Sequence, residues 1–247
     1  MTRGGGELGK ADMHLHSLYS DGTVPVQALL DHVESSTDLD VIAITDHERI
    51  DGAIRASEIH AAGDYSFEFV VGEEVTTRRG HVLALFITER IPALRPLTET
   101  IERIHDQGGI AIAAHPMAPL TPSLGTRSLI AVQGTGDRRQ RLDAIELMNP
   151  SAAGRVRRTA RNRLNSEILQ LPAVGNSDAH VIEGIGTAWT WFPGSTAAEY
   201  RRAVEESTTR PDGTFWSNRQ NLDVYRRQLR AKVRHLRHTL RPTGEWR

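Results

Sequence analysis

The chain has 247 residues, 11 His, no Cys, and 30 Lys+Arg against 31 Asp+Glu, for a formal net charge of −1. That length suits one domain of roughly 200–250 residues. The lack of cysteine excludes disulfide scaffolds, thiolate zinc sites, iron–sulfur clusters and a cysteine nucleophile. The longest apolar runs, Val41 to Ile44 and Ile110 to Ala114, fall well short of the ~20 residues of a membrane span. Residues 1–10 carry no apolar leader pattern, so a cytoplasmic protein with no membrane partner is expected. Charge is uneven along the chain. Residues 211–247 hold nine Lys/Arg and three Asp/Glu, leaving 21 basic and 28 acidic residues in 1–210. A basic tail on an acidic body allows a nucleic-acid or other anionic contact.

Short β-like runs alternate with helical patterns. The first strand is expected at Lys10–His14, followed by a helix over Pro25–Ser35 with proline in its first turn. A second strand, Asp40–Thr45, precedes a helix over Asp51–Ala62. Strands at Phe67–Glu73 and His81–Ile87 lie too close for a crossover and form a hairpin. A helix over Leu97–Gln107, stopped by Gly108-Gly109, leads to a strand at Gly109–His115. Residues 117–141 read as a long surface loop with one helical turn. Strands at Asp143–Met148, Ala173–Ser177 and Thr187–Phe192 enclose a helix over Arg155–Leu169, and a helix over Ser195–Glu206 follows. This alternation means α/β with a largely parallel sheet, and eight strands in one domain favour a barrel. Three regions are expected: a flexible N-terminus at 1–10, a barrel at 11–210, and a basic helical extension at 211–247. In the extension, Leu222, Tyr225, Leu229, Val233, Leu236 and Leu240 make an apolar stripe suited to packing. Trp189 and Trp191 share one face of an alternating strand and are assigned to barrel packing.

Histidines gather at strand ends. His14 and His16 follow the first strand, His47 the second, His115 the fifth, and Asp178 and His180 the seventh, while Glu73 ends the third and His81 opens the fourth. Strand ends converge on one face of an α/β barrel. His14 and His16, two residues apart in extended chain, point to the same side, as do Asp178 and His180. Imidazole mixed with carboxylate suits zinc, manganese or iron. Asp12 and Asp46 are placed to orient ligating rings or, equally, to cap strand-end turns.

The segments His14-Leu15-His16-Ser17-Leu18-Tyr19-Ser20-Asp21-Gly22, Ile44-Thr45-Asp46-His47, Val71-Gly72-Glu73-Glu74-Val75-Thr76-Thr77, Gly80-His81, Ala114-His115-Pro116 and Gly175-Asn176-Ser177-Asp178-Ala179-His180 resemble the PHP (polymerase and histidinol phosphatase) family of metal-dependent phosphoesterases. The resemblance implies a distorted (β/α)7 barrel, here with a basic C-terminal helical tail. It implies two or three divalent ions (Zn, Mn or Fe). One would be held by His14, His16, Asp178 and a shared Glu73, a second by Glu73, His81 and His115, and a third by Asp21, His47 and His180.

The activity so implied is hydrolysis of a small phosphate ester by a hydroxide bridging two metals. Asp178 or His180 would serve the leaving group if their coordination loosens. Asp at position 21 and the Glu74-Val75-Thr76-Thr77 run look more like the nucleoside 3′,5′-bisphosphate phosphatase and 5′–3′ exoribonuclease branch. Thirty-three residues between His81 and His115 leave no room for the helical subdomain inserted in that branch. Pro116 is followed by Met117 rather than by the Arg often found there. Arg127, Arg155, Arg157 and Arg158 are therefore the candidates for holding the substrate phosphate. The alternatives are a carbonyl-centre hydrolase acting on an amide, carbamate or ester, and an exonuclease on RNA or DNA ends that uses the basic tail.

Overall fold

Among the described residues nine strands form one sheet. In chain order they are β1 (Leu8–Leu15), β2 (Val41–Ile44), β3 (Glu68–Thr77), β4 (Gly80–Leu85), β5 (Ile110–Ala113), β6 (Ala144–Met148), β7 (Ala173–Gly175), β8 (Ala188–Pro193) and β9 (Arg210–Gly213), and they lie side by side as β7-β6-β5-β4-β3-β2-β1-β8-β9. A computed structural model describes residues 8–119 and 121–227. The sheet curls until β7 approaches β8 and β9. There the Thr190 hydroxyl meets both the N–H and the C=O of Gly175, and the Thr209 hydroxyl donates to the Ala173 carbonyl. The result is a nearly closed, distorted α/β barrel.

The sheet is mixed rather than largely parallel. β3–β4, β4–β5, β1–β8 and β8–β9 pair antiparallel. β1–β2, β2–β3, β5–β6 and β6–β7 pair parallel. The expected hairpin is present, turning through Arg78 and Arg79. Gly80 has φ +139°, and a Cβ there would lie 2.3 Å from the Ser123 backbone, so only glycine fits. β9 has no strand signature in its sequence Arg-Pro-Asp-Gly. It exists because β8 offers it an open edge, where proline is tolerated. The barrel sheet therefore runs past residue 210, and β1 begins before residue 11.

Helices accompany the sheet at α1 (Val26–Ser36), α2 (Asp51–Ala62), α3 (Leu97–Asp106), α4 (Thr126–Gln133), α5 (Ala152–Arg155), α6 (Arg158–Leu164) and α7 (Ala197–Glu205). α4 occupies part of the expected 117–141 loop, with Leu129 and Val132 buried. The single helix expected over Arg155–Leu169 is broken. Arg157 at φ 59° separates α5 from α6, and α6 runs into a π-turn over Asn165–Leu169. α7 begins with a capping box between Thr196 and Glu199.

Strand alternation sorts the core. Val41, Ala43, Val70, Leu83, Leu85, Ile110 and Ile112 fill the barrel interior, which Tyr200 and Val204 of α7 close from below. Ile42 and Ile44 pack outward under α1 and α2, and Val82, Ala84, Ala111 and Ala113 pack outward under α3 and α4. Trp189 and Trp191 lie outside the barrel, half-buried, with the Lys10 ammonium 4.7 and 4.9 Å from their rings; Thr190 and Phe192 are the buried neighbours. In the C-terminal segment Trp216 and Val224 pack on Val181, whereas Leu222 and Tyr225 of the expected stripe are exposed. Leu229, Val233, Leu236 and Leu240 lie outside the described residues, as do residues 1–7 of the expected flexible N-terminus. Among the described residues no helix is long and apolar enough to cross a membrane.

At the barrel's lower edge His105, near the end of α3, joins Asp143 Oδ2 (2.8 Å) and the Arg139 carbonyl (2.8 Å). The hydrogen bond to Asp143 raises the His105 pKa above its usual value. Its stabilisation is thus complete below the free value of about 6.5 and lost as pH climbs through the raised folded value. The melting temperature should fall between pH 6 and 9 by about 2 °C or less through this pair. That share of the fall should vanish in His105→Gln, as measured by calorimetry across the range.

Candidate metal centre

The upper face of the barrel is built by three local devices. The first is a β-bulge. Between Asp12 and Leu15 the β1–β2 register shifts, so Met13 packs inside the barrel and Leu15 outside it. The extra residue turns His14, and His16 after it, toward the site. The second is the direction of β4. Because β4 runs opposite to β3 and β5, its first residues lie at the upper face, and His81 reaches the site from a strand start. The third is backbone held in the left-handed region at His115 (φ 29°) and Asp178 (φ 53°). Non-glycine residues adopt such angles at a cost on the order of 1–3 kcal/mol, so surrounding contacts must fix them.

The carboxylate at the centre is Glu74, not the expected Glu73. Along β3, Val70, Gly72 and Glu74 face inward, and Val71, Glu73 and Val75 face outward. Glu74 Oε1 lies 2.7 Å from His81 Nδ1 and 2.9 Å from His115 Nε2. Its Oε2 lies 3.1 Å from His14 Nε2, 3.3 Å from His16 Nε2 and 3.3 Å from His47 Nδ1. Glu73 instead accepts from the Ile91 N–H at 2.8 Å on the outer side, where burial pushes its pKa up to about 7. The expected strand end at Glu73 was four residues short, which hid the inward parity of its neighbour.

The other expected ligands converge on the same place. Asp178 Oδ1 is 3.3 Å from His16 Nε2 and 3.5 Å from His14 Nε2. Asp21 Oδ1 is 3.0 Å from His180 Nε2 and 3.8 Å from His47 Nε2. Four sets of candidate ligand atoms each fall within 4.8 Å: His16, Asp21, His47 and His180; His14, His16 and Asp178; His14, Glu74 and His115; His47, Glu74 and His81. His47, Asp178 and Asp21 are partly open to solvent at 21%, 18% and 10%, while His14, His16 and Glu74 are sealed. The open side therefore lies over His47, Asp21 and Asp178.

These side chains fit cations better than they fit one another. His16 Nδ1 and Nε2 and His81 Nδ1 are buried without a hydrogen bond, although carboxylate oxygens stand 2.7–3.9 Å away. Imidazole lone pairs and carboxylate oxygens around a common centre are the donor set of zinc, manganese and iron. Burial opposes ionisation of Asp178 and Glu74, but the surrounding rings outweigh it and hold both carboxylates well below their usual range. Burial alone would lower His16, but its contacts with Asp178 and Glu74 raise it to about 10. Burial drives His47 the other way, to about 3.

A second layer orients the first. Glu146, on the inner face of β6, accepts from His14 Nδ1 (3.2 Å), the His115 N–H (2.7 Å), Asn176 Nδ2 (2.9 Å) and Asn149 Nδ2 (3.3 Å). Asn149 also donates to Asp178 Oδ2 at 3.2 Å. Arg161, fully buried, donates to the carbonyls of Leu147 and Gly154 and holds the chain on either side of Asn149. Sequence reasoning missed all three. The available signal was a lone acid in Ala144-Ile145-Glu146-Leu147-Met148. Asp12 and Asp46 touch no ligating ring. Asp12 accepts from the N–H groups of Ser177 and Gly186. Asp46 accepts from the Ser17 N–H and the hydroxyls of Ser17 and Ser20, which fixes the turn carrying Asp21. Both play the turn-capping role. The four expected phosphate-binding arginines are exposed, and among the described residues no hydrogen bond or ion pair joins them to the cluster. Arg155 and Arg158 lie against the Phe215 ring at 4.9 and 5.1 Å, and Arg127 lines a separate groove.

Barrel and histidine–carboxylate cluster together define a PHP-type fold with a candidate metal centre. The protein MJ1587 of Methanocaldococcus jannaschii, itself uncharacterized, is 36% identical over 129 residues, which cover 48% of this chain and 74% of that one; the chain belongs to its family. Residues 160–209 match the model of a PHP-associated family. A two-domain protein from Bacteroides vulgatus ATCC 8482, containing a predicted PHP-like metal-dependent phosphoesterase, superposes with a TM-score of 0.67 at 18% identity, over 91% of this chain and 70% of that one. An amidohydrolase from Chromobacterium violaceum, solved with bound sulfate and no metal, superposes with a TM-score of 0.54 at 16% identity, over 80% and 96%.

The Glu74 geometry makes a sharp prediction. Purified Glu74→Gln should lose most of the metal bound per chain by elemental analysis. Glu73→Gln, which still accepts from Ile91, should keep the wild-type content.

Proposed function

We propose that the protein is a metal-dependent phosphoesterase acting on a small phosphate ester, a nucleotide or nucleoside bisphosphate. The observation that carries this reading is Glu74, sealed among five imidazoles, with Asp21, His47 and Asp178 open above it. His14, His16 and Asp178, then His81 and His115, then Asp21, His47 and His180 would hold two or three divalent ions, with Glu74 shared. When bound, such ions supply Lewis acidity at phosphoryl oxygens and lower the pKa of water.

The chain's own groups prepare the site for a phosphate dianion. Glu146 accepts a hydrogen bond from His14 Nδ1–H, which turns the Nε2 lone pair of His14 to the centre. The Asp178 carbonyl does the same for His180 through Nδ1 at 2.9 Å. Asp178, ionised and steadied by Asn149, acts as an anion, and His180 would pass a proton to the departing alkoxide only with its Nε2 released from a metal and protonated. Arg127, Arg155, Arg157 and Arg158, all exposed, would supply guanidinium forks for further oxygens of the ligand.

The same centre also suits attack on a carbonyl carbon, the chemistry named for the Chromobacterium protein. Phosphate release from a panel of a nucleoside 3′,5′-bisphosphate, histidinol phosphate, short RNA and an aryl phosphate separates the readings. His14→Ala and Asp178→Ala should each lower kcat/KM by more than about 100-fold, and chelation should abolish turnover. Metal-loaded protein that cleaves an amide or carboxylic ester and no phosphate ester would replace this reading with the carbonyl one.

A further inference from the structure

A groove separate from the metal-ligand cluster shares only Arg127 with the proposed function. It has a volume of about 550 Å³ and runs between the β3–β4 turn and the first turns of α3 and α4. Arg78 and Arg79 enter from the turn and Arg127 from α4, over a floor formed by Leu97, Ala131 and Val132. Among the described residues no carboxylate and no aromatic ring lines it, and none of the three guanidiniums is in an ion pair. The acid nearest in sequence, Glu99 in the first turn of α3, is drawn to Arg103 at 3.0 Å. The net lining charge is therefore positive and uncompensated, in a concave setting that focuses it.

The arginines stand on a fixed frame. The Arg78 N–H donates to the Arg95 carbonyl and its Nε to the Leu94 carbonyl, both at 3.0 Å, which leaves its two terminal nitrogens for a ligand. The Arg79 N–H donates to Thr77 Oγ1, and Thr77 Oγ1 donates to the Gly80 carbonyl, so the turn is locked. The groove is also tied to the centre by covalent chain. Arg79 is two residues before His81, and Arg127 is four residues after Ser123, whose hydroxyl meets His115 Nδ1 at 3.2 Å.

We propose that this groove is a second anion-binding site that takes the distal phosphate-bearing end of a ligand whose other end reaches the metal centre. The distal end is recognised by charge and bidentate guanidinium contacts, with no base stacking, because no aromatic surface is present. Only the other end of the ligand rests on the phosphoesterase reading.

A matched, non-hydrolysable pair tests this: hexane-1,6-diphosphonate against hexylphosphonate, titrated calorimetrically into the metal-loaded full chain. The wild type should bind the diphosphonate at least about tenfold more tightly. Arg79→Ala/Arg127→Ala should bind the two alike, at unchanged metal content and melting temperature. Arg79→Lys/Arg127→Lys should restore part of the preference, because charge is kept and the fork is lost. A preference that survives in the alanine variant, or none in the wild type, overturns the proposal. Phosphate release from an aryl phosphate by the wild type judges the phosphoesterase reading separately.

Discussion

The structure depends on one carboxylate placed where carboxylates do not ordinarily go. Glu74 is buried at the top of a barrel whose lower interior is apolar, and five imidazole rings from four different segments surround its two oxygens. A lone buried anion is costly in low dielectric, so it persists only with compensating charge around it. The compensation here comes from rings that themselves have incomplete hydrogen bonding. A cation would complete both halves of this arrangement, and the fold is the means of assembling it. The bulge in β1, the reversed β4 and the left-handed residues His115 and Asp178 each redirect one donor toward the same point.

Beneath the ligands lies a second polar layer with a division of labour. Glu146 is the hub. It joins the segments at the first, fifth, sixth and seventh strands through His14, His115, Asn149 and Asn176. Asp46 and Asp12 govern backbone rather than rings. The first builds the Ser17–Asp21 turn, and the second staples β1 to the chain around Ser177 and Gly186. Arg161 does for carbonyls what these acids do for N–H groups. A buried network of this kind specifies geometry when its members are satisfied.

Much of this was legible in the sequence, and the parts that were not have physical reasons. α2 falls at the expected residues, and the strands differ from expectation mainly at their ends, because apolar alternation and terminal Gly or Pro signal these elements locally. The histidine positions were visible because strand ends in such folds gather on one face. The choice between Glu73 and Glu74 was not, because face assignment depends on parity and a strand end misplaced by a few residues removes the reference. Counting from Val70, whose partner Ala43 is interior, would have given Glu74. β9 was invisible because its pairing comes from an available edge rather than from its own residues. Glu146 and Arg161 were hidden for a similar reason, since single polar residues acquire a role only from what the fold brings beside them.

The β1–β7 seam has a consequence for how the chain reaches its folded form. The Met13 N–H bonds the Asn176 side chain, the Ser177 N–H bonds Asp12, and Leu15 bridges to Ala179. Each of these contacts joins residues separated by more than 160 positions. Loops that long close late, because their entropy must be overcome before the contact returns anything. During synthesis the earliest strand therefore emerges with His14 and His16 but waits for most of the chain before Asp178 and His180 arrive. The ligand sets that include Asp178 or His180 are therefore completed only as the barrel closes.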